Sequence, residues 1–535
     1  MGGAAGRIGR VRQNCCGPPA GLVRASAFLG VVESQAVGPI LPGLRPKGRP
    51  MSPCEGPNLM ERLGRWFSRI TRSILPDPMV IACGLTLLVV LAGLVAPQSS
   101  EIAAEGIGQR TVAVARMWFD GLWNRGFLVF ALQMCMVLLT GYGLAKAPPA
   151  MALLRYVASH VHSSRSAVLC VTVVSCVGCW INWGFGLIAG GILAAELRAE
   201  LIRKRVACHY ALIVAGAYAG MMIWHGGLSG SAPLKVAGDG VTITRAAAVG
   251  IETVHLDPVP ITRTVLSFAN VTLSVVFVLG IPFLLRSMAT PDGDDLDYVP
   301  HHEPPTPAPS THRAAIPSMA DWANRSRAIP ILIVLTALVA LGHLLSEKGA
   351  RAFDLDFVNT AFLILGLLLH RNLSEYVAAV AEGGRAVTGI VLQFPLYSGI
   401  QSVMFGTGLA VAMSRAFVDG SDWVAGAFGL SAGMTFPPAV FLSAGLVNLF
   451  VPSGGGQWIV QGPIMCAAGD ALKLPIAQTV MAVSYGDQWT NMIQPFWAIP
   501  LMGLTGVNVR QFMGYCALLM LLAAPVFLLG LVLLF

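Results

Sequence analysis

The stretch Val451–Pro463, VPSGGGQWIVQGP, lies inside an apolar run that extends from Val440 to Ala468. Pro452 and three consecutive glycines, Gly454 to Gly456, argue against an uninterrupted helix through it. Proline lacks an N–H and clashes with the preceding turn, and each glycine costs about 1 kcal/mol relative to alanine in a helix interior. In hydrocarbon the cost grows, because a freed backbone group finds no water there. Irregular backbone at that depth persists only where protein buries it or where it lines a wet cavity. Interrupted helices of this kind mark substrate sites in secondary transporters, with half-helix N–H groups facing an anion.

The rest of the chain supports a membrane setting. Of its 535 residues 55% are hydrophobic and 12% charged, where soluble domains carry about a quarter charged residues. The net charge of +8 then reads as loop charge that orients the chain. No basic patch is interleaved with aromatics, so no nucleic-acid partner is expected. The 11 cysteines are scattered, with Cys170, Cys176 and Cys179 inside one apolar segment and no paired CxxC spacing. Neither a disulfide framework, a metal site nor a cofactor is expected from that pattern.

Residues 1–59 are rich in Arg, Gly and Pro, and their one apolar patch, Ala25 to Val32, is too short to span. They read as a disordered extension or as sequence upstream of a natural translation start at Met60 or Met51; mass spectrometry of the native N-terminus separates the two. From Met60 an amphipathic basic helix carries Arg62, Arg65, Arg69 and Arg72 ahead of the first span, Met79 to Ala96, and places the N-terminus in the cytoplasm. Residues 97–126 read as an external connector and Phe127 to Ala145 as the returning span. The run Ala167–Ala195 has basic flanks at both ends. At roughly 30 residues, against about 20 for one span, it reads as a re-entrant hairpin with its tip at Ile181-Asn182-Trp183-Gly184-Phe185-Gly186. Tyr210–Pro233 reads as a span broken at Trp224 to Pro233, residues 236–262 as an external loop, and Thr264–Leu285 as a span.

Residues 286–328, with Pro304, Pro305, Pro307, Pro309 and an acidic run, read as a cytoplasmic linker that divides the membrane region into 60–285 and 329–535. Ile329–Leu345, Phe353–His370 and Val387–Met413 read as spans. Phe436–Asp470 reads as an external hairpin with the PSGGG tip, Ile476–Leu501 as a span broken at Gln488 to Pro495, and Phe512–Phe535 as the last span. Residues 423–435 are apolar and have no firm place. The expected fold is therefore an all-α polytopic membrane protein of roughly 10–12 segments, with two re-entrant hairpins and two broken helices.

The order span, hairpin, broken span, span occurs twice. Leu132-Gln133 matches Leu392-Gln393, Gly184 and Gly186 match Gly454 and Gly456, Ala217-Tyr218 matches Ser484-Tyr485, and Pro233 matches Pro500. These pairs share an offset of about 260–270 residues. With one hairpin opening inward and the other outward, the halves form an inverted repeat, and Ile329–Leu345 is the odd span that permits the inversion. Small-residue helix packing is the competing explanation of the glycines.

If the tips meet near the midplane, Asn182, Gly184, Gly186, Ser453 and the N–H groups of Gly454, Gly455 and Gly456 supply donors and a positive dipole end without a formal charge. That chemistry suits a small carboxylate as substrate. Ser231, Gln457, Gln461 and Asn491 extend the polar lining, and Trp183, Trp458, Trp489 and Phe496 are available to enclose a short apolar tail or simply to pack. Asp487, in an apolar segment, is a functional candidate by its cost of burial alone. It and His225, at the equivalent break of the first half, are the candidate ion-coupling residues, with a proton or sodium ion left open; a structural hydrogen-bonding role is the alternative for each.

The motifs INWGFGL at 181–187, VPSGGGQW at 451–458, QGP at 461–463 and YGDQWTNMIQPFWAIP at 485–500, with LPDP before the first span, resemble the bacterial short-chain fatty acid transporter family. The resemblance runs from Met60 to the C-terminus. It implies a multi-pass carrier in the bacterial cytoplasmic membrane, surrounded by lipid, that moves small monocarboxylates such as butyrate and acetoacetate by cation symport. His225 departs from the glycine that the resemblance leads one to expect. A dicarboxylate or other organic-anion carrier, an integral-membrane enzyme using Asp487 and His225 as acid and base, and a channel are the competing readings. A homodimer is left open as the assembly state.

Overall fold

The computed structural model describes residues 57–95, 105–247, 250–290, 318–352, 355–384 and 387–535. Residues 1–56 and 291–317 lie outside the described residues, and with them Met51 and most of the expected cytoplasmic connector.

The fold is that of an all-α polytopic membrane protein. Its long helices include α2 (Pro78–Val95), α4 (Arg125–Lys146), α6 (Ser164–Ile181), α7 (Trp183–Arg203), α10 (Phe268–Ser287), α12 (Ala328–Lys348), α15 (Val387–Gly406) and α21 (Val509–Leu533), together with the shorter elements named below. Among the described residues six helical stretches are long and apolar enough to cross a bilayer unaided. The other expected segments are hairpin arms, short helices and helices interrupted before full length.

Several elements differ from the sequence expectation. The connector 97–126 contains α3, Ile107–Leu122, which packs along α15 and runs almost directly into α4. Its polar positions, Gln109, Arg110, Arg116 and Asp120, disguise an apolar face. A Cβ on Gly121 would lie 2.5 Å from Ser402 Cβ, so glycine permits the close crossing. The stretch 236–262, expected to be a loop, holds the end of α9 (Ser231–Asp239) and an antiparallel hairpin, β1 (Val241–Ala247) with β2 (Gly250–Leu256), in register Val241↔Leu256. β1 packs against α18 (Gly454–Ala471). The stretch Val387–Met413 is two helices, because Gly408 takes a left-handed conformation (φ 75°) between α15 and α16 (Leu409–Phe428). The unplaced residues 423–435 are the end of α16, a left-handed cap at Gly429, and the start of α17 (Ala432–Asn448).

Around these lie amphipathic helices. α1 (Leu59–Ile74) crosses α21 so closely that a Cβ on Gly514 would lie 2.5 Å from Ser68 Cα. It is anchored by buried Glu61, whose carboxylate accepts from Arg165 Nη2 at 2.8 Å. α5 (Pro148–Ser159) and α14 (Leu373–Gly383) follow α4 and α13 (Leu355–Leu369), and α11 (Met319–Arg325) precedes α12.

Two helical hairpins and two interrupted helices form the centre. The first hairpin is α6–α7, which turns at Asn182 alone. Gly186 faces Gly178 and Cys179 across it, with a built Cβ only 2.1 Å from Cys179 N, so any side chain would push the arms apart. The second hairpin is α17–α18, which turns through residues 449–453. The interrupted helices are α8 (Tyr210–Tyr218) continuing to Met222, then α9, and α19 (Ile476–Thr490), then α20 (Pro495–Thr505).

Candidate functional site

The glycines of the opening motif do not form the break. Gly454, Gly455 and Gly456 make the first turn of α18, and the break is the preceding Phe450-Val451-Pro452. Ser453 is the N-cap, accepting the Gly456 N–H at 3.2 Å. Asn182 does the same for α7, accepting the Phe185 N–H at 3.1 Å. Each tip residue therefore satisfies one of the orphan donors of a new helix and leaves the others directed outward.

What α18 points at is decided by close approach. A Cβ on Gly454 would lie 2.7 Å from His225 Cε1, 2.9 Å from Asp487 Oδ2 and 2.9 Å from Trp224 Cη2. The second hairpin tip thus rests on both interrupted helices at once. Asp487 and His225, the two ionisable groups singled out in the sequence, are hydrogen-bonded to each other through Oδ2 and Nδ1, and each side chain is 1% exposed. Trp224 stacks on the His225 ring with centroids 4.4 Å apart. Trp183, just after Asn182, reaches Trp224 at 6.2 Å and Trp497 at 5.0 Å between centroids. Both tips therefore touch Trp224.

The interrupted backbones are satisfied by side chains, as a dry interior requires. Gln488 Oε1 accepts the N–H groups of His225 (2.9 Å) and Gly226 (3.1 Å). Asn270 Nδ2 donates to Gly226 O at 2.7 Å. Trp180 O accepts from Leu228 N at 2.8 Å, and Ser229 Oγ accepts from Trp183 N at 3.1 Å, which joins the first tip to the first break. At the second break, Gln494 Nε2 donates to the carbonyls of Asn448 and Leu449, both at 3.1 Å, and Asn448 Nδ2 lies 2.8 Å from Asn491 Oδ1.

The remaining sequence candidates separate into groups. Ser231 begins α9 and is the nearest residue to Gly455, whose built Cβ would sit 3.8 Å from Ser231 Cβ. Gly184 lies in the first turn of α7, while Gly186 is occupied in hairpin packing. Gln457 Nε2 donates to Ala444 O (2.9 Å) and Gln461 Oε1 (2.8 Å), and Gln461 donates to Ser443 Oγ, so both tie α18 to α17. Trp489 is turned away to Met520 O (2.7 Å). Trp458 covers Gly462 on its own helix. Trp183 and Phe496 join the central aromatics; Phe496 stacks on Phe394 at 4.1 Å.

Sequence reading missed the service residues Gln488, Asn270, Asn448 and Gln494, and missed Gln401 on α15, whose Nε2 would lie 2.7 Å from a Cβ on Gly456. A signal for them existed: uncharged amides inside apolar segments have few uses other than repairing broken backbone. Several buried polar atoms at the centre keep no hydrogen-bond partner among the described residues, namely Asp487 Oδ1, Trp224 Nε1, Trp497 Nε1, Gln457 Oε1 and Asn491 Nδ2.

With this geometry in hand, comparison with known proteins is informative. The family model described as short chain fatty acid transporter matches residues 59–534. The chain belongs to the short-chain fatty acid transporter family. A relative from Escherichia coli K12 named for short-chain fatty acid transport is 34% identical over 485 residues, covering 89% of this chain and 100% of the relative. A second, from Haemophilus influenzae Rd, is 32% identical and covers 88% of this chain and 99% of its own length. Solved structures with some likeness include the Alcanivorax borkumensis YdaH transporter (TM-score 0.36, 15% identity, 86% of this chain and 97% of that one). The Neisseria gonorrhoeae MtrF antimetabolite efflux pump gives a TM-score of 0.33 at 15% identity, over 88% and 97% of the two chains. As a member of the short-chain fatty acid transporter family, the protein is a multi-pass membrane protein of the bacterial cytoplasmic membrane.

Proposed function

We propose that the protein is a secondary active carrier that moves small monocarboxylates, butyrate and acetoacetate among them, together with a cation. The observation that carries this reading is the contact of Gly454, in the first turn of α18, with the buried Asp487–His225 pair between two interrupted helices. The exposed side of that turn offers backbone N–H groups and a helix dipole to an anion. The Asn182 tip reaches the same aromatic centre from the other hairpin. No Arg or Lys lies in either tip, which matches a substrate that must be released as well as held. A dicarboxylate would leave its second charge without a cationic partner there.

The repeated element order supports reading 60–285 and 329–535 as inverted halves with 286–328 between them. In that frame the substrate contacts are Asn182, Gly184, Ser231, Ser453, Gly454, Gly455, Gly456 and Asn491, with Gly186 and Gln457 holding the hairpins closed. Asp487 and His225 carry the coupling cation.

An enzyme built on the same pair is disfavoured by its hydrogen bonds. A histidine acting as general base for a nucleophile needs Nε2 free. Here Nε2 accepts the Ala232 N–H at 3.0 Å.

Uptake of labelled acetoacetate into proteoliposomes, with imposed proton and sodium gradients tested separately and protein-free liposomes as the leak control, tests the function. Carrier-dependent accumulation driven by one gradient is expected; uptake equal to the protein-free control contradicts it.

A further inference from the structure

Hydrogen-bond directions at the first break bear on which cation the proposed carrier would couple to. The Ala232 N–H only donates, so His225 Nε2 accepts from it. An imidazole whose Nε2 accepts carries its hydrogen on Nδ1 and is neutral. Nδ1–H then donates to Asp487 Oδ2, so any charge that the pair carries lies on the carboxylate. Of the four polar atoms in the pair, only Asp487 Oδ1 lacks a partner, and it is buried. We propose that the coupling ion is a proton and that it is carried on Asp487 Oδ1, with His225 as the positioning residue that keeps the other oxygen occupied. This assignment rests on the carrier reading above.

Electrostatics link the proton to the substrate. An anion at the first turn of α18 would bring a second negative charge beside Asp487, because Gly454 touches Oδ2. Protonating Oδ1 removes that repulsion, so each ligand raises the affinity for the other. One proton moving with one monocarboxylate also leaves the net charge of the buried site unchanged.

The surroundings contain few groups that would perturb this titration. On α19 the other ionisable side chain is Tyr485, whose hydroxyl donates to Asn270 Oδ1 at 2.8 Å. From α6 it is Cys179, which donates to Trp183 O, and from α8 it is Tyr218, which donates to the second break. Lys235 and Asp239 on α9 are exposed. Asp470 of α18 and Arg286 of α10 sit in the last turns of those helices, and α17 and α20 contain no ionisable residue.

The test uses the purified full-length chain in weakly buffered detergent solution, titrated with sodium butyrate or choline butyrate while tryptophan fluorescence reports binding and a pH dye reports protons. The wild type is expected to take up about one proton per butyrate bound, with either counter-ion. Above the pH at which the pair titrates, its affinity should weaken about tenfold per pH unit. Asp487→Asn should take up no proton and bind with pH-independent affinity. His225→Gln should change the pH dependence of proton uptake, where a merely structural role would leave that dependence in place. Butyrate binding by the wild type without proton uptake, or binding that follows sodium, overturns the proton assignment and leaves the carrier reading standing. Absence of butyrate binding by folded wild type sinks the carrier reading, and the proton assignment falls with it. The wild-type stoichiometry decides even if the Asp487 variant fails to fold.

Discussion

The hydroxyl of Tyr218 donates to two carbonyls of the second break, Asn491 O at 2.7 Å and Gln494 O at 3.0 Å. On the other interrupted helix Tyr485 donates to Asn270 Oδ1, and Asn270 in turn holds Gly226 O of the first break. Each interrupted helix thus carries a tyrosine that stabilises the interruption in the other, which joins the two breaks into one unit.

Tyr218→Phe removes the donor from two buried carbonyls. Asn491 O keeps the Gln494 N–H at 3.1 Å, so the loss is that of a net buried hydrogen bond, about 0.5–1.5 kcal/mol. The variant should therefore unfold more easily in detergent by that amount, as measured by denaturant titration, and should lose transport at least in proportion. Tyr485→Phe should behave alike; stability unchanged in both would mean that water replaces the hydroxyls without loss.

The glycines of the second tip should not be equivalent. A Cβ on Gly454 meets His225, Asp487 and Trp224 at 2.9 Å or less, while a Cβ on Gly455 has its nearest neighbour at 3.8 Å. Gly454→Ala is expected to destabilise by about 1–3 kcal/mol through overpacking. Gly455→Ala should fold normally, and its effect should appear as a raised KM because the methyl group stands where an anion approaches the turn. Thermal unfolding compared with uptake kinetics separates the two, and equal destabilisation by both would place the tip elsewhere.

Ser453→Ala and Asn182→Ala each delete an N-cap bond, worth about 1 kcal/mol. Their effect on substrate affinity should exceed this effect on folding, since both caps border the proposed anion site. Butyrate titrations by tryptophan fluorescence give the affinities. Wild-type affinity in both variants would remove the caps from the binding site.

Gln488→Leu tests the repair of the first break. Its Oε1 accepts two backbone N–H groups that no other side chain reaches in the described residues. Leaving two buried donors unpaired should cost about 2–6 kcal/mol and give poor expression of folded protein. Gln488→Glu should restore at least part of the yield by returning the acceptor, as size-exclusion profiles would register.

Much of this architecture is legible in the chain. Glycine runs and prolines inside apolar segments announce interruptions, and both hairpins and both breaks lie where those residues stand. Asp487 and His225 stand out because ionisable groups in apolar surroundings are rare. Their pairing is not legible, since it depends on bringing together residues 262 positions apart. Helix α3 escapes notice because Arg110, Arg116 and Asp120 lower its polarity contrast, and the β-hairpin because Thr242, Thr244 and Thr253 look like loop residues. The role of Gly186 also needs the structure: next to Asn182 it reads as a site glycine, but it is spent on the α6–α7 crossing.

The central claim is that a small carboxylate sits at the first turn of α18, against Asp487 and His225. The most direct measurement is an experimental density map of the protein with a brominated short-chain acid, 2-bromobutyrate, which the halogen makes visible. The account predicts the carboxylate on the N–H groups of Gly454 and Gly455, since Ser453 Oγ holds that of Gly456, and the bromine among Trp183, Trp224 and Trp497. Acid bound away from both hairpin tips, or a turn at 449–453 drawn out into continuous helix, would contradict it.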